Sequence, residues 1–135
     1  MSIGINTATR NALMTALGNA IDAGGAGGSI KLYSGARPAT GGAVTTLLST
    51  IPLAFPSFSV AGGVLTLLGV PLTDSSAAGT GTATWARIAT SAGTFVADVS
   101  VSATGGGGDI QLSSASITAG QTVRVTSGTI TEGNP

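Results

Sequence analysis

The sequence contains no histidine and no cysteine, and only 7% of its residues are charged. Without cysteine there is no thiol nucleophile, no disulfide and no thiolate metal site, and the redox compartment is left open. Without histidine the usual general base near neutral pH, the Ser-His-Asp arrangement and the commonest metal ligand are all missing. The five carboxylates, Asp22, Asp74, Asp98, Asp109 and Glu132, lie at least eleven residues apart. A glycosidase pair would have to be assembled from distant strands, and nothing else in the chain resembles a sugar cleft. One Trp, one Tyr and three Phe leave few platforms on which a base or sugar can stack. The five cations, Arg10, Lys31, Arg37, Arg87 and Arg124, are scattered and the net charge is zero. That is not the concentrated basic field that displaces phosphate counterions, so no nucleic-acid partner is expected. No apolar run approaches the roughly 18 residues of a membrane span. The expectation is a chain with no catalytic residue, no cofactor, no metal and no membrane contact.

What is present is apolar. Hydrophobic residues make up 42% of the 135 positions, and mean hydropathy is +0.48. A chain of this length closes around one core, and low charge with high apolar content argues against disorder. An ordinary soluble domain has about 25% charged residues. Near-zero net charge favours association, so part of the surface is expected to be covered in a homo-oligomer or a larger assembly. The N-terminal MSIGINTATRNALMTAL has no Lys or Arg before its apolar part and no continuous apolar run. It does not read as a signal peptide, and the expectation is use without export by the general secretory route.

Residues 7–22 are the one good helix candidate, with Asn6 or Thr7 as cap. Leu13, Leu17 and Ile21 form a stripe with Met14 and Ala20 beside it, and Asn11, Thr15, Gly18 and Asp22 fall opposite. The stripe serves either a partner or the domain's own core. Gly24–Gly28 then ends the helix as a hinge or linker. It is not a phosphate loop, because no Lys-Ser/Thr pair and no helix follow it.

Beyond Gly28 the chain changes to short strands, expected over Ser29–Ser34, Val44–Leu53, Ser57–Val60 with Val64–Leu68, Thr80–Thr90, Thr94–Val101, Asp109–Leu112 and Gln121–Thr131. Glycine-rich turns separate them, a pattern of sandwiches and barrels. The reading is a mainly β fold of six to eight strands with one short N-terminal helix. Residues 1–28 are helix and glycine linker, and 29–135 the β-sandwich domain. Phe95, Ala97, Val99 and Val101 share one parity, with Val96, Asp98 and Ser100 opposite. Val123 and Val125 share a face that Ile130 leaves, so a one-residue bulge near Ser127-Gly128 is expected to restore Ile130 to the core. Gly105–Gly108 reads as a flexible loop tip. Asp109 alone does not make a Ca²⁺ loop.

Four residues are candidates for a protein interface. Trp85 and Arg87 lie two apart on one strand and so point to one face, either as an interface anchor or as a core Trp with Arg at its rim. Arg37-Pro38 follows the strand carrying Tyr33, and Pro38 holds Arg37 extended, either for contact or as a stiff turn with a solvated Arg.

Three stretches carry a resemblance: Ile30–Gly42 (IKLYSGARPATGG), Gly81–Ile88 (GTATWARI) with Gly93 and Asp98, and Gly108–Leu112 (GDIQL) with Ser116-Ile117 and Gly120–Val123. With the short helix before the glycine run, they resemble a family of small tailed-bacteriophage virion proteins, over nearly the whole chain. Val96–Gly107 departs from it, being longer and richer in glycine. The resemblance implies a β-sandwich or jelly-roll-like subunit present in many copies, with no catalytic residues. Within it the chain is most similar to capsid cement (decoration) proteins, made in the bacterial host cytoplasm and bound to the major capsid protein on the capsid exterior. The alternative is a tail-associated or receptor-binding β module of a phage.

Overall fold

The Asn6 side chain accepts a hydrogen bond from the Thr9 amide at 2.8 Å and so caps the first turn of helix α1, Thr7–Ile21. The helix stops where Gly24 and Gly25 take positive φ, conformations that side-chain-bearing residues avoid. The computed structural model describes residues 6–131. The outer limits of the two expected regions, residues 1 and 135, lie outside it.

The buried face of α1 is Met14, Gly18 and Ile21. This corrects the expected stripe, because Leu13 is 45% exposed while Gly18 is covered. The physical reason is a close approach. A Cβ on Gly18 would lie 2.5 Å from Phe58 Cδ1, so the missing side chain lets the helix sit on an aromatic ring. Met14 and Ile21 then enter the core of the same domain, and the helix covers its own sheet.

Eleven strands follow among the described residues: β1 (Ser29–Ser34), β2 (Thr46–Pro52), β3 (Phe58–Ala61), β4 (Val64–Leu67), β5 (Leu72–Asp74), β6 (Gly81–Thr82), β7 (Trp85–Ala89), β8 (Phe95–Ala103), β9 (Ile110–Leu112), β10 (Ser116–Ile117) and β11 (Val123–Thr131). This exceeds the expected six to eight. The expected strand 80–90 divides at Ala83-Thr84 into β6 and β7, and β5 and β10 are too short to show a period. Nine strands form one sheet in the order β2-β1-β7-β8-β9-β11-β4-β3, with β5 also paired to β11; β6 and β10 form a separate pair. The protein is mainly β with one short helix, and its large sheet is curled. The curl brings β2 to β5, where Ser49 Oγ donates to Asp74 Oδ2 at 2.6 Å. The Ala78 and Gly79 amides complete the seam by donating to the Leu48 carbonyl at 2.9 and 3.1 Å. The concave side holds the apolar core, including Ile30, Leu32, Ile51, Ile88, Ile110, Leu112 and Val125.

Three bulges set which side chains face outward, the first in β1–β2, where the shift between Leu32 and Tyr33 pairs Tyr33 with Leu47. In β11 the register slips between Val125 and Ser127, so Gly128 is buried and Ile130 packs against the core. The expected bulge is there, one residue early. In β7–β8 the register shifts between Ile88 and Ala89, which pairs Ala89 with Phe95 and leaves Val96 packed on the core. Phe95 therefore leaves the parity of Ala97, Val99 and Val101 that the alternation predicts, and lies on the convex face.

Each glycine run is exposed at its start and packs closely at its last residue. Gly28 is buried, its carbonyl accepts from the Leu53 amide at 2.9 Å, and a Cβ there would strike the Ala89 carbonyl. The run Gly105–Gly108 is a loop whose first three glycines are exposed, and it joins two parallel strands, β8 and β9. Parallel neighbours usually need a crossover of a dozen or more residues. Here the chain doubles back along β8 itself. A Cβ on Gly108 would stand 2.6 Å from the Ser102 amide nitrogen, so only glycine lies this close to the strand. Gly108 N and Asp109 N donate to Ser102 Oγ and Ser100 Oγ at 2.9 and 3.0 Å, and Asp109 Oδ2 accepts from Ser100 N and Oγ at 3.3 and 3.1 Å.

Candidate functional site

Antiparallel register brings the candidate residues together on the convex face of β1, β7 and β8. Tyr33 pairs with Trp85, Lys31 with Arg87, and Arg87 with Asp98, so these side chains share one side of the sheet. Tyr33 and Trp85 stack with centroids 4.5 Å apart. The Arg87 guanidinium lies 5.4 Å from the Trp85 ring centre and 5.0 Å from that of Phe95. The result is a row Tyr33, Trp85, Arg87, Phe95 in which each flat group meets the next, an arrangement favoured by dispersion and by cation–π attraction.

Over this row runs the segment 35–45, a strap between β1 and β2. Its attachments are distributed along its length. Thr84 Oγ1 donates to the Gly35 carbonyl at 2.5 Å, the Gly41 amide to Asp98 Oδ2 at 3.1 Å, and Arg87 Nη2 to the Gly42 carbonyl at 2.8 Å. Trp85 Nε1 donates to Thr45 Oγ1 at 3.0 Å, and that hydroxyl donates to the Ser34 carbonyl. Glycine is required at position 41, where φ is 73° and the Phe95 ring is 3.5 Å from where a Cβ would stand.

The clamp under the strap is a two-pronged ion pair, Arg87 Nε to Asp98 Oδ1 at 2.7 Å and Arg87 Nη2 to Asp98 Oδ2 at 3.1 Å. The Asp98 side chain is 3% exposed. Burial pushes the Asp98 carboxyl up, but the Arg87 hydrogen bond, the Gly41 amide and the charges of Arg87 and Arg37 outweigh it and hold it below the usual carboxylate range. The hydrogen bond to Asp98 holds the Arg87 guanidinium above its ordinary value, against the opposing effect of burial. Burial raises the Tyr33 phenol.

All four residues singled out from the sequence meet at this strap, in different roles. Trp85 is 1% exposed and lies beneath the strap; its surface is taken up by Tyr33 and Arg87. Arg87 clamps the strap through Asp98. Arg37 is exposed on it, with Nη1 3.5 Å from the Asp98 carbonyl, and Pro38 beside it is half-buried. Val44, Leu47 and Phe95 are exposed around the same strap. Sequence reasoning missed Asp98, Tyr33, Phe95 and Thr45 as parts of the site. Asp98 carries a signal, being a charged residue opposite in parity to buried Val99 and Val101, but its partner emerges only from the β7–β8 register.

Among the described residues no pocket opens in the surface, and no group of three or more His, Cys, Asp or Glu gathers. No helix of the described residues is long and apolar enough to cross a membrane. Comparisons with protein-family models, curated proteins and solved structures give no match.

Proposed function

We propose that this chain is a structural protein of a tailed-phage virion, a cement protein that binds the major capsid protein on the capsid exterior and stabilises the shell. The reading is non-enzymatic and needs no cofactor. The observation that carries it is the strap held down over the β1-β7-β8 face. A recognition surface binds more tightly when it is already ordered, and here the order comes from the Arg87–Asp98 clamp and the aromatic row beneath. Arg37 is exposed on the strap, with Nη1 3.5 Å from the Asp98 carbonyl, while the Asp98 carboxylate is paired with Arg87. Val44 on the strap, Leu47 just after it and Phe95 beneath Gly41 are exposed as well, and arginine and aromatic side chains are enriched in interface hot spots. Such a patch fits a carboxylate flanked by apolar groups on the shell subunit. No single contact has to be strong, because many copies act on one shell.

Counting copies per virion by gel densitometry tests the location. Hundreds of copies support cement; a number matching the symmetry of the tail would replace it with the tail-associated reading. Binding of purified protein to shells lacking it tests the surface. Arg37→Glu is expected to weaken that binding at least tenfold while leaving the fold intact, and unchanged binding would remove the strap from the interface.

A further inference from the structure

The nine-strand sheet ends in two edges, and among the described residues only one of them is closed. At β2 the Leu48 carbonyl accepts from the Ala78 and Gly79 amides, and Ser49 donates to Asp74. At the other end lies β3, and no described residue pairs with its outer side. The Leu68 amide donates to the Ser57 carbonyl at 2.9 Å, and Ala61 pairs with Val64 at the turn. Ser59 and Ala61 therefore direct their backbone groups to β4, while Phe58 and Val60 direct theirs to the open side. Among the described strands of three or more residues, β3 alone has no buried residue. Sheet edges are commonly blunted by a lysine, a proline or a bulge. Phe58-Ser59-Val60-Ala61 has none of these, and its register with β4 is unbroken.

Opposite charges stand at the two ends of this strand. The Gly63 amide donates to Asn11 Oδ1 at 2.7 Å and the Ser57 amide to Asp22 Oδ2 at 3.1 Å. Helix α1 thus runs along the hairpin with its N-terminal half at the turn and its C-terminus at Ser57. The Arg10 guanidinium also lies against the turn, its Cζ 2.6 Å from where a Cβ on Gly63 would stand. The turn end therefore carries a cation and the positive pole of the helix, and the Ser57 end a carboxylate and the negative pole. A second copy laid antiparallel along β3 sets each end against its opposite. A parallel copy would set like against like.

We infer that two copies of this chain join edge to edge, antiparallel, through β3, about a twofold axis at Ser59. In this register Phe58 exchanges hydrogen bonds with the partner's Val60, and Val60 with the partner's Phe58, so every outward backbone group of the strand is paired. Ser59 meets its own copy at the axis as a non-hydrogen-bonded pair. The Cα atoms approach there to about 4.5 Å, which a small side chain allows. The contact is isologous and closes at two copies. It lies at the opposite end of the strand order from the strap between β1 and β2, so it stands apart from the shell-binding reading.

The test compares two lysine variants of the whole chain by sedimentation equilibrium. Ser59 is exposed, and Ser59→Lys sets two ammonium groups against each other at the axis. It is expected to weaken dimerisation at least about tenfold. Thr66 is exposed on β4 and pairs with Ser59 in register, so Thr66→Lys adds the same charge to the same face one strand further in. It is expected to change dimerisation by no more than about twofold, because solvent and salt screen the more distant pair. Amide hydrogen exchange followed by NMR reads the edge itself. The Phe58 and Val60 amides should exchange quickly in dilute protein and slowly in concentrated protein, and quickly at both concentrations in Ser59→Lys. A monomer at every concentration overturns the inference, as does association that Ser59→Lys leaves unchanged. Equal losses in the two variants overturn it too, because added charge and not the edge is then responsible. Slow exchange of both amides in the dilute monomer assigns the edge to a segment of the same chain and overturns it as well.

Discussion

Asp98 does more than any other single residue to order the convex face, because one carboxylate serves a guanidinium, a strap amide and the field of a second arginine. Removing one partner of a buried pair strands the other charge, so Asp98→Ala is expected to cost about 3 kcal/mol in urea unfolding followed by far-ultraviolet circular dichroism. Replacing both partners by leucine leaves no stranded charge, and the double variant is expected to be more stable than either single one. The pair also sets a pH dependence. The carboxyl is held below its unfolded value of about 3.9, so its contribution is fully present above that pH. It is lost as pH falls through the lower folded value. Urea midpoints between pH 6 and 2 should therefore drop on the acid side for the unsubstituted protein, and less steeply for Asp98→Asn. Equal slopes would show that Asp98 titrates alike in both states.

At the scale of elements, two glycines make contacts that no side chain permits. Gly18→Ala on an open helix face gains up to about 1 kcal/mol in propensity. Here the new methyl meets the Phe58 ring, and a loss of about 1–3 kcal/mol is expected instead. Gly108→Ala drives a methyl into the β8 backbone, which has no rotamer to yield, and is expected to lose about 2 kcal/mol or more. Gly105→Ala meets open space and should lose only the roughly 1–2 kcal/mol of a left-handed φ. Ranking the three by denaturant midpoint checks the argument. These contacts also explain how far the sequence could be read. β1 was legible to the residue, and the bulge in β11 to within one position, because alternation of apolar and polar residues directly reports burial on a pleated surface. The helix face was not, since leucine at 13 outscores glycine at 18 on any hydropathy scale while the contact rewards the absence of a side chain. The parallel return at Gly105–Gly108 was not legible either, because glycine marks a turn and a close approach with the same letter. At the candidate site, the position of Trp85 and Arg87 on one face followed from spacing; the approach of the Arg37 loop to that face, the burial of Trp85 and the role of Asp98 depended on long-range register.

On the scale of the whole molecule, the shortage of charge and the surplus of apolar surface act together. Phe55 is 57% exposed, Val70 is exposed as well, and the loops that carry them adjoin where Ala54 Cβ is 3.1 Å from the position of a Cβ on Gly69. No charged residue occurs between Arg37 and Asp74. A surface of this kind lacks the repulsion that keeps monomers apart. Sedimentation equilibrium over a wide concentration range is expected to show self-association. Phe55→Lys should reduce it with a stability change within about 0.5 kcal/mol, as for other exposed positions. A monodisperse monomer at all concentrations would refute this reading of the composition. The placement of the aromatics has an optical consequence. The chain has one tryptophan and one tyrosine, and they stack on each other beneath the strap. Excitation of the tyrosine should pass to the indole by energy transfer, leaving almost pure tryptophan emission, blue-shifted by burial. Lifting the strap would shift that emission to the red while the β-sheet signal stays constant, so the native protein contains a single-site reporter on the surface proposed to meet the shell.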